Sequence, residues 1–255
     1  MIPLSDDNPT VRVPVATIFI IVAMFAMWVL VQGAGLDEAL LAESVCNLGM
    51  VPGELTRLAP VGSGVPIGHD LACVIDTQGI NMLTPVISMF LHGGWIHLLG
   101  NALFLWVFGN NIEDVMGRGR FLLFYLICGL AAAAAHILVD PRSPVPTVGA
   151  SGAISGVMGA YLVLFPKVRV RMFFFFLVIP LRAWIVLIYW FGLQLLSGIP
   201  ELLSPNPELS GGVAVWAHVG GFVAGVLLIK WFENPVLVQR RHDILLSRNE
   251  FDALS

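Results

Sequence analysis

Gly149-Ala150-Ser151-Gly152 sets a serine among glycines at the head of an apolar run that continues to Phe165 and approaches the length of a membrane span. Two other apolar runs carry buried-looking polar groups, His97 with Asn101 in one and His218 in the other. An ionisable or nucleophilic side chain inside hydrocarbon is expensive, so by default it marks a functional site. Three such runs brought together would make a hydrolytic centre.

The composition places these runs in a bilayer. Apolar residues make up 57% of the 255 and charged residues only 12%, and the mean hydropathy is +0.86, outside what soluble domains show. A net charge of -4 without a Lys/Arg run gives no reason to expect a nucleic-acid partner. No metal-ligand spacing and no phosphate-cradling loop occurs, so neither zinc nor a nucleotide nor any other cofactor is expected.

A spanning window of about 20 residues finds six candidates, near Val13 to Val31, Trp95 to Val115, Phe121 to Val139, Ser151 to Phe165, Ala183 to Ser197 and Gly212 to Phe232. Between the fourth and fifth, Val168 to Ile179 alternates basic and apolar residues, passes through Phe173-Phe174-Phe175-Phe176 and ends at Pro180. It reads as an interfacial segment; the alternative is a longer, kinked fifth helix beginning near Met172. Arg57 and Arg142 alone fall in the odd-numbered loops, whereas Arg118, Arg120, Lys167, Arg169 and Arg171 fall in the even ones, with Arg12, Lys230, Arg240, Arg241 and Arg248 flanking on that same side. By the positive-inside rule both termini are cytoplasmic. The acidic, proline-containing N-terminal segment has no basic n-region, so it does not read as a cleaved signal peptide.

The chain therefore divides into a cytoplasmic segment 1–12, a membrane domain 13–232 and a cytoplasmic tail 233–255. Within the domain, 33–90 forms a long extracytoplasmic loop whose acidic residues, Asp37, Glu38, Glu43, Glu54, Asp70 and Asp76, suit an outer face. Apolar stretches at Leu48 to Val51 and Ile80 to Val86 make it a half-embedded, partly helical hairpin rather than a free tether. Cys46 and Cys73 share this loop, where the compartment permits a disulfide; Cys128, inside the third span, is a small apolar group.

Spacing assembles a site. Small residues recur every four positions at Ala217, Gly221 and Gly225 on the sixth span and at Gly152, Gly156 and Ala160 on the fourth, the pattern that lets helix backbones approach closely. His218 projects near that contact face, and Ser151 begins the fourth helix. A serine hydroxyl needs a base in hydrogen-bond reach, usually neutral imidazole, so Ser151 and His218 make a plausible nucleophile and base. Glu113 and Asp114 lie at the inner end of the second helix and Asp140 at the outer end of the third, beyond reach of His218. Packing or a weaker polar partner must then orient the imidazole. His97 and Asn101, four apart on one face, and the amide of Ser151 at a helix N-terminus are donors suited to an oxyanion. Singly, Gly-x-Ser-Gly is more often a packing motif, and a lone His97 or His218 could be a core residue, a proton relay or a metal ligand. Their shared depth near the outer ends of three inward-running spans favours catalysis.

These residues resemble a known family. His92-Gly93-Gly94-Trp95-Ile96-His97-Leu98-Leu99-Gly100-Asn101, Gly149-Ala150-Ser151-Gly152 and Ala217-His218-Val219-Gly220-Gly221-Phe222-Val223-Ala224-Gly225 look like the three signature blocks of the rhomboid intramembrane serine proteases, in order, over roughly Phe90 to Phe232. The resemblance implies an all-α membrane protein, a six-transmembrane-helix rhomboid bundle with a long, partly membrane-associated first outer loop. It further implies Ser151 as nucleophile, His218 as base, His97 and Asn101 as oxyanion donors, and His92, Gly149 and Gly152 in support. Expected partners are the lipid bilayer and single-span membrane proteins cut near the outer end of the span; the expected location is a bacterial-type inner membrane. Access is expected past the fifth helix, which carries Trp184, Trp190 and Phe191. Two departures stand out: Leu83-Thr84 replaces a Trp-Arg pair common in the outer loop, and Ser155 stands where some members stack an aromatic on the base. Two rivals remain, a catalytically inactive relative that binds membrane clients and, less favoured, a transporter, against which the absence of an inverted repeat argues.

Overall fold

A computed structural model describes residues 2–67, 71–76, 81–203 and 214–254. In chain order its elements are β1 (Ile2–Asp6), α1 (Val15–Leu30), α2 (Glu38–Leu48), α3 (Pro52–Thr56), β2 (Gly64–Ile67), β3 (Leu71–Val74), α4 (Thr84–Ile87), α5 (Trp95–Met116), α6 (Arg118–Val139), α7 (Ser151–Leu164), β4 (Arg169–Phe174), β5 (Leu177–Arg182), α8 (Ala183–Leu203), α9 (Val215–Phe232) and α10 (Pro235–Leu254). The apolar runs became α1, α5, α6, α7, α8 and α9, because a backbone in hydrocarbon must satisfy its own hydrogen bonds. Among the described residues, α6, α9 and α8 as far as Pro200 are long and apolar enough to cross a membrane, and α5 joins them if it is taken with Thr84–Phe90, from which it bends by 92°. Helices α1 and α7 are shorter apolar helices.

The centre of the bundle is built on small residues. A Cβ on Gly225 would collide with the carbonyl oxygen of Gly156, and one on Gly221 with that of Gly152. On the other face of α7, a Cβ on Gly152 would come within 2.6 Å of the Ala132 methyl on α6. Backbones this close gain dispersion contacts along their whole length, which is what holds helices together where lipid removes the hydrophobic drive. Helix α7 is consequently wrapped by α5, α6 and α9, and its residues from Gly152 to Tyr161 are all buried.

One end of the bundle is tied by charge. The Glu113 carboxylate accepts from the amides of Ala16 (2.9 Å) and Thr17 (2.8 Å) and from the Thr17 hydroxyl (2.9 Å), satisfying the free N–H groups at the start of α1. Glu113→Ala strands these buried donors, and a loss of about 3 kcal/mol or more is expected at about 1 to 3 kcal/mol per buried unsatisfied group, read as a lower midpoint of thermal unfolding in detergent. Asp114 pairs with Arg12 and Arg241, both at 3.2 Å. Arg241, from α10, also donates to Asn8 (2.6 Å) and to the Pro9 carbonyl (3.0 Å), with its guanidinium 5.1 Å from the centre of the Phe165 ring. Tyr161 donates to Asp6, and burial pushes the Asp6 carboxyl above the ordinary carboxylate range. Both ends of the chain thus meet at one end of the bundle, as a strand and a helix rather than as loose tails.

Three corrections to the sequence reading follow. The segment 169–182 is a β-hairpin extending β1 in the order β1-β4-β5, with Arg169 opposite Arg182, not the kinked helix beginning near Met172. Its cause is the period of two, with Val170 and Met172 buried and Arg169 and Arg171 exposed. The two-residue turn puts Phe175 and Phe176 at φ 42° and 71°, the positive angles a primed hairpin turn needs. Second, α8 runs to Leu203, past the expected end at Ser197. Third, the fold is mostly helical rather than all-α, with one three-stranded and one two-stranded antiparallel sheet beside the helices. Asp70, Ile80 and Gly212 fall outside the described residues.

The described part of the loop 33–90 is folded. Asp37 caps α2 by accepting from the amides of Ala39 (2.9 Å) and Leu40 (3.2 Å), and Cys46 is disulfide-bonded to Cys73, their Cα atoms 5.2 Å apart. Met50 and Thr147 exchange backbone hydrogen bonds of 3.0 and 2.8 Å, so the loop braces the segment that leads into α7.

Candidate active site

The approach to Ser151 is set by Gly149. Its φ of 121° is a conformation that L side chains rarely adopt, and its amide donates to the Ser88 carbonyl at 2.8 Å. A Cβ there would sit 2.7 Å from Cε1 and Nε2 of His97 and 3.6 Å from Nδ2 of Asn101. Glycine therefore gives the edge of His97 and the amide of Asn101 room beside the chain that enters α7.

His218 reaches the same spot from α9. Its Nε2 lies 2.7 Å from Ser151 Oγ, a full-strength hydrogen bond, and the close approach of α7 and α9 at Gly152 and Gly221 makes that reach possible. His218 is only 9% exposed, whereas Ser151 is half-buried. On its other side, Nδ1 lies 2.9 Å from Oε1 of Gln194 on α8, and the Trp190 ring stands 5.7 Å from the imidazole, tilted by 41°. The Ser155 hydroxyl turns back to its own helix and donates to the Ser151 carbonyl at 2.6 Å. The aromatic neighbour of the base thus comes from α8 rather than from the turn after Ser151.

His97 and Asn101 lie on the first turns of α5, just after the 92° bend. The bend is clamped by the buried Gln32, whose amide donates to the His92 carbonyl and accepts the His92 N–H, both at 2.8 Å. The His92 ring stands 5.2 Å from that of His97, edge to face. The Gly93 amide donates to His97 Nδ1 at 3.4 Å, which leaves the proton on Nε2, the atom beside Gly149. Asn101 Nδ2 is buried and has no acceptor among the described residues. Two donors therefore converge on the start of α7, where charge would develop if Ser151 added to a carbonyl. Asn101→Ala is expected to lower turnover about 100- to 1,000-fold with KM little changed, as measured on a cleavable membrane peptide.

A cavity of about 400 Å³ opens onto these groups, lined among others by His97, Gly149, Ser151, His218, His136 and Thr147. His136 on α6 meets the Thr147 hydroxyl at 3.1 Å, tying that helix to the wall. The arrangement offers a hydroxyl with a base attached, a pair of donors and room for an extended peptide.

Sequence reasoning missed Gln194, His136 and Thr147 as neighbours of the site and named Trp190 only for access. The available signal for Gln194 was a carboxamide set in the apolar run Ala183 to Ser197. Cys46 and Cys73 brace the loop 33–90 away from the cavity, and Gly156, Gly221 and Gly225 act as packing positions.

Fold and site together define a helical membrane protein in which a serine and a histidine from different helices share a hydrogen bond beside a cavity of about 400 Å³. The Rhomboid domain model matches residues 78–233, and the chain belongs to the rhomboid family. It is similar to Rhomboid protease GluP of Bacillus subtilis, 46% identical over 81 residues that cover 32% of this chain and 15% of that protein. It is also similar to Rhomboid protein 1, mitochondrial, of Saccharomyces cerevisiae (28% over 158 residues, 60% of this chain and 43% of that protein) and to Putative rhomboid protease YdcA of Bacillus subtilis (29% over 163 residues, 63% and 70%). The matched part thus spans less than half the length of the first two relatives.

Proposed function

We propose that this protein is an intramembrane serine endopeptidase that cuts single-span membrane proteins near the outer end of their transmembrane segment. The observation that carries the reading is the 2.7 Å hydrogen bond between Ser151 Oγ and His218 Nε2. As Oγ attacks a peptide carbonyl carbon, its proton passes to Nε2 and the carbonyl oxygen becomes an oxyanion facing the Ser151 amide, His97 and Asn101. The tetrahedral intermediate collapses as the imidazolium gives its proton to the leaving nitrogen; the C–N bond breaks and an acyl-serine remains. A water, deprotonated by His218, attacks that ester and releases the acid and Ser151. A stable substrate helix shields its carbonyls in its own hydrogen bonds, so cleavage requires a segment that unwinds where it enters the cavity.

The remaining parts of the reading follow the family. Six spans, α1, α5, α6, α7, α8 and α9, form the domain 13–232; both termini face the cytoplasm, in keeping with Arg169 and Arg171 of β4, Arg182 of β5 and Arg241 of α10 lying at one end; and the setting is a bacterial-type inner membrane. Purified protein mixed with a fluorogenic transmembrane substrate tests the activity. Cleavage by the wild type that is absent from Ser151→Ala supports it; flux in proteoliposomes that survives Ser151→Ala, without cleavage, overturns it in favour of transport.

A further inference from the structure

We infer that Gln194 is the third member of the Ser151–His218 assembly, a positioning residue that fixes which imidazole nitrogen carries the proton. The inference rests on the hydrolytic reading above. Nε2 of His218 can take the serine proton only if it is bare, and a neutral imidazole then carries its hydrogen on Nδ1. The atom facing Nδ1, at 2.9 Å, is the carboxamide oxygen of Gln194, which can accept and cannot donate. Turned the other way, the amide would donate to Nδ1, force the hydrogen onto Nε2 and leave Ser151 without a base. Gln194 thus does by acceptor geometry what a buried carboxylate does in serine hydrolases that have one. A neutral partner suits this depth, because an unpaired carboxylate would be costly to bury.

Packing keeps the amide in place. Trp190 and Gln194 are four apart on α8, and His218 and Phe222 are four apart on α9, so each pair shares a face. Phe191 stacks on Phe222 with ring centres 4.5 Å apart and planes 22° from parallel, and Trp190 covers the imidazole. The register of α8 on α9 therefore fixes Gln194 against Nδ1.

The test measures the rate of Ser151 labelling by a fluorophosphonate probe, and kcat and KM on a transmembrane substrate, across pH in wild type, Gln194→Leu and Gln194→Glu. Gln194→Leu should slow labelling and kcat about 10- to 100-fold with KM and thermal midpoint unchanged. Gln194→Glu, an obligate acceptor, should retain activity at alkaline pH while the acid limb of kcat/KM moves to higher pH, since a carboxylate favours the protonated imidazole. Should Gln194→Leu not fold, the limb of Gln194→Glu decides alone. Wild-type rates in Gln194→Leu, or an unmoved limb in Gln194→Glu, overturn the role of Gln194 while leaving the endopeptidase reading intact; a wild type that neither labels at Ser151 nor cleaves overturns that reading instead.

Discussion

Ser151→Ala is expected to lower cleavage by about four orders of magnitude or more, and adding His218→Ala is expected to cost almost nothing further, since groups that act as one unit are grossly non-additive. The physical reason is the shared hydrogen bond at 2.7 Å: without the hydroxyl the base has nothing to deprotonate, and without the base the hydroxyl is a poor nucleophile at neutral pH. On the proposed reading substrate is held by the cavity walls rather than by these two side chains, so KM should hold within a few-fold. A double variant that loses as much again as each single one would mean that the two residues act in separate steps. The assay is kcat and KM on one fluorogenic substrate for all four combinations.

The second large effect is on folding. Gly225→Ala adds a methyl where Gly156 offers its carbonyl oxygen, and because that atom is backbone, neither helix can yield without parting along its length. A loss of about 3 kcal/mol or more is expected, at the upper end of what overpacking costs. Gly192→Ala on α8 is the control, because nothing lies within 4 Å of the added methyl; there the helix should gain up to about 1 kcal/mol from propensity. Equal thermal midpoints for the two variants would contradict the close α7 to α9 packing.

Much of this arrangement is legible in the sequence because it is built on spacing. Gly152 and Gly156 against Gly221 and Gly225 announce two helices that touch, and Ser151 and His218 sit beside those glycines, so helical geometry alone brings them near one another. Gly149, two residues before the serine, is named in support by the family resemblance, and its positive φ emerges only in the structure. Gln194 is legible only as a polar side chain in an apolar run, which carries no period; its role comes from the register of α8 on α9, set by Phe191 and Phe222. The aromatic beside the base shows the same limit, since Trp190 reaches His218 from a helix remote in sequence from Ser151. The hairpin at 169–182 was written in the alternation of Arg169, Val170, Arg171 and Met172, but four phenylalanines hid its turn. The loop between α1 and α5 depends on pairings across many residues, Met50 with Thr147 and Gln32 with His92, which no local pattern encodes.

The most direct measurement of the central claim is intact-protein mass spectrometry after exposure to a fluorophosphonate, with the modified residue located by fragmentation. One adduct, on Ser151, formed by the wild type and lost or slowed at least about 100-fold in His218→Ala, is the predicted result. An adduct elsewhere, or one on Ser151 that forms equally fast without His218, would contradict it.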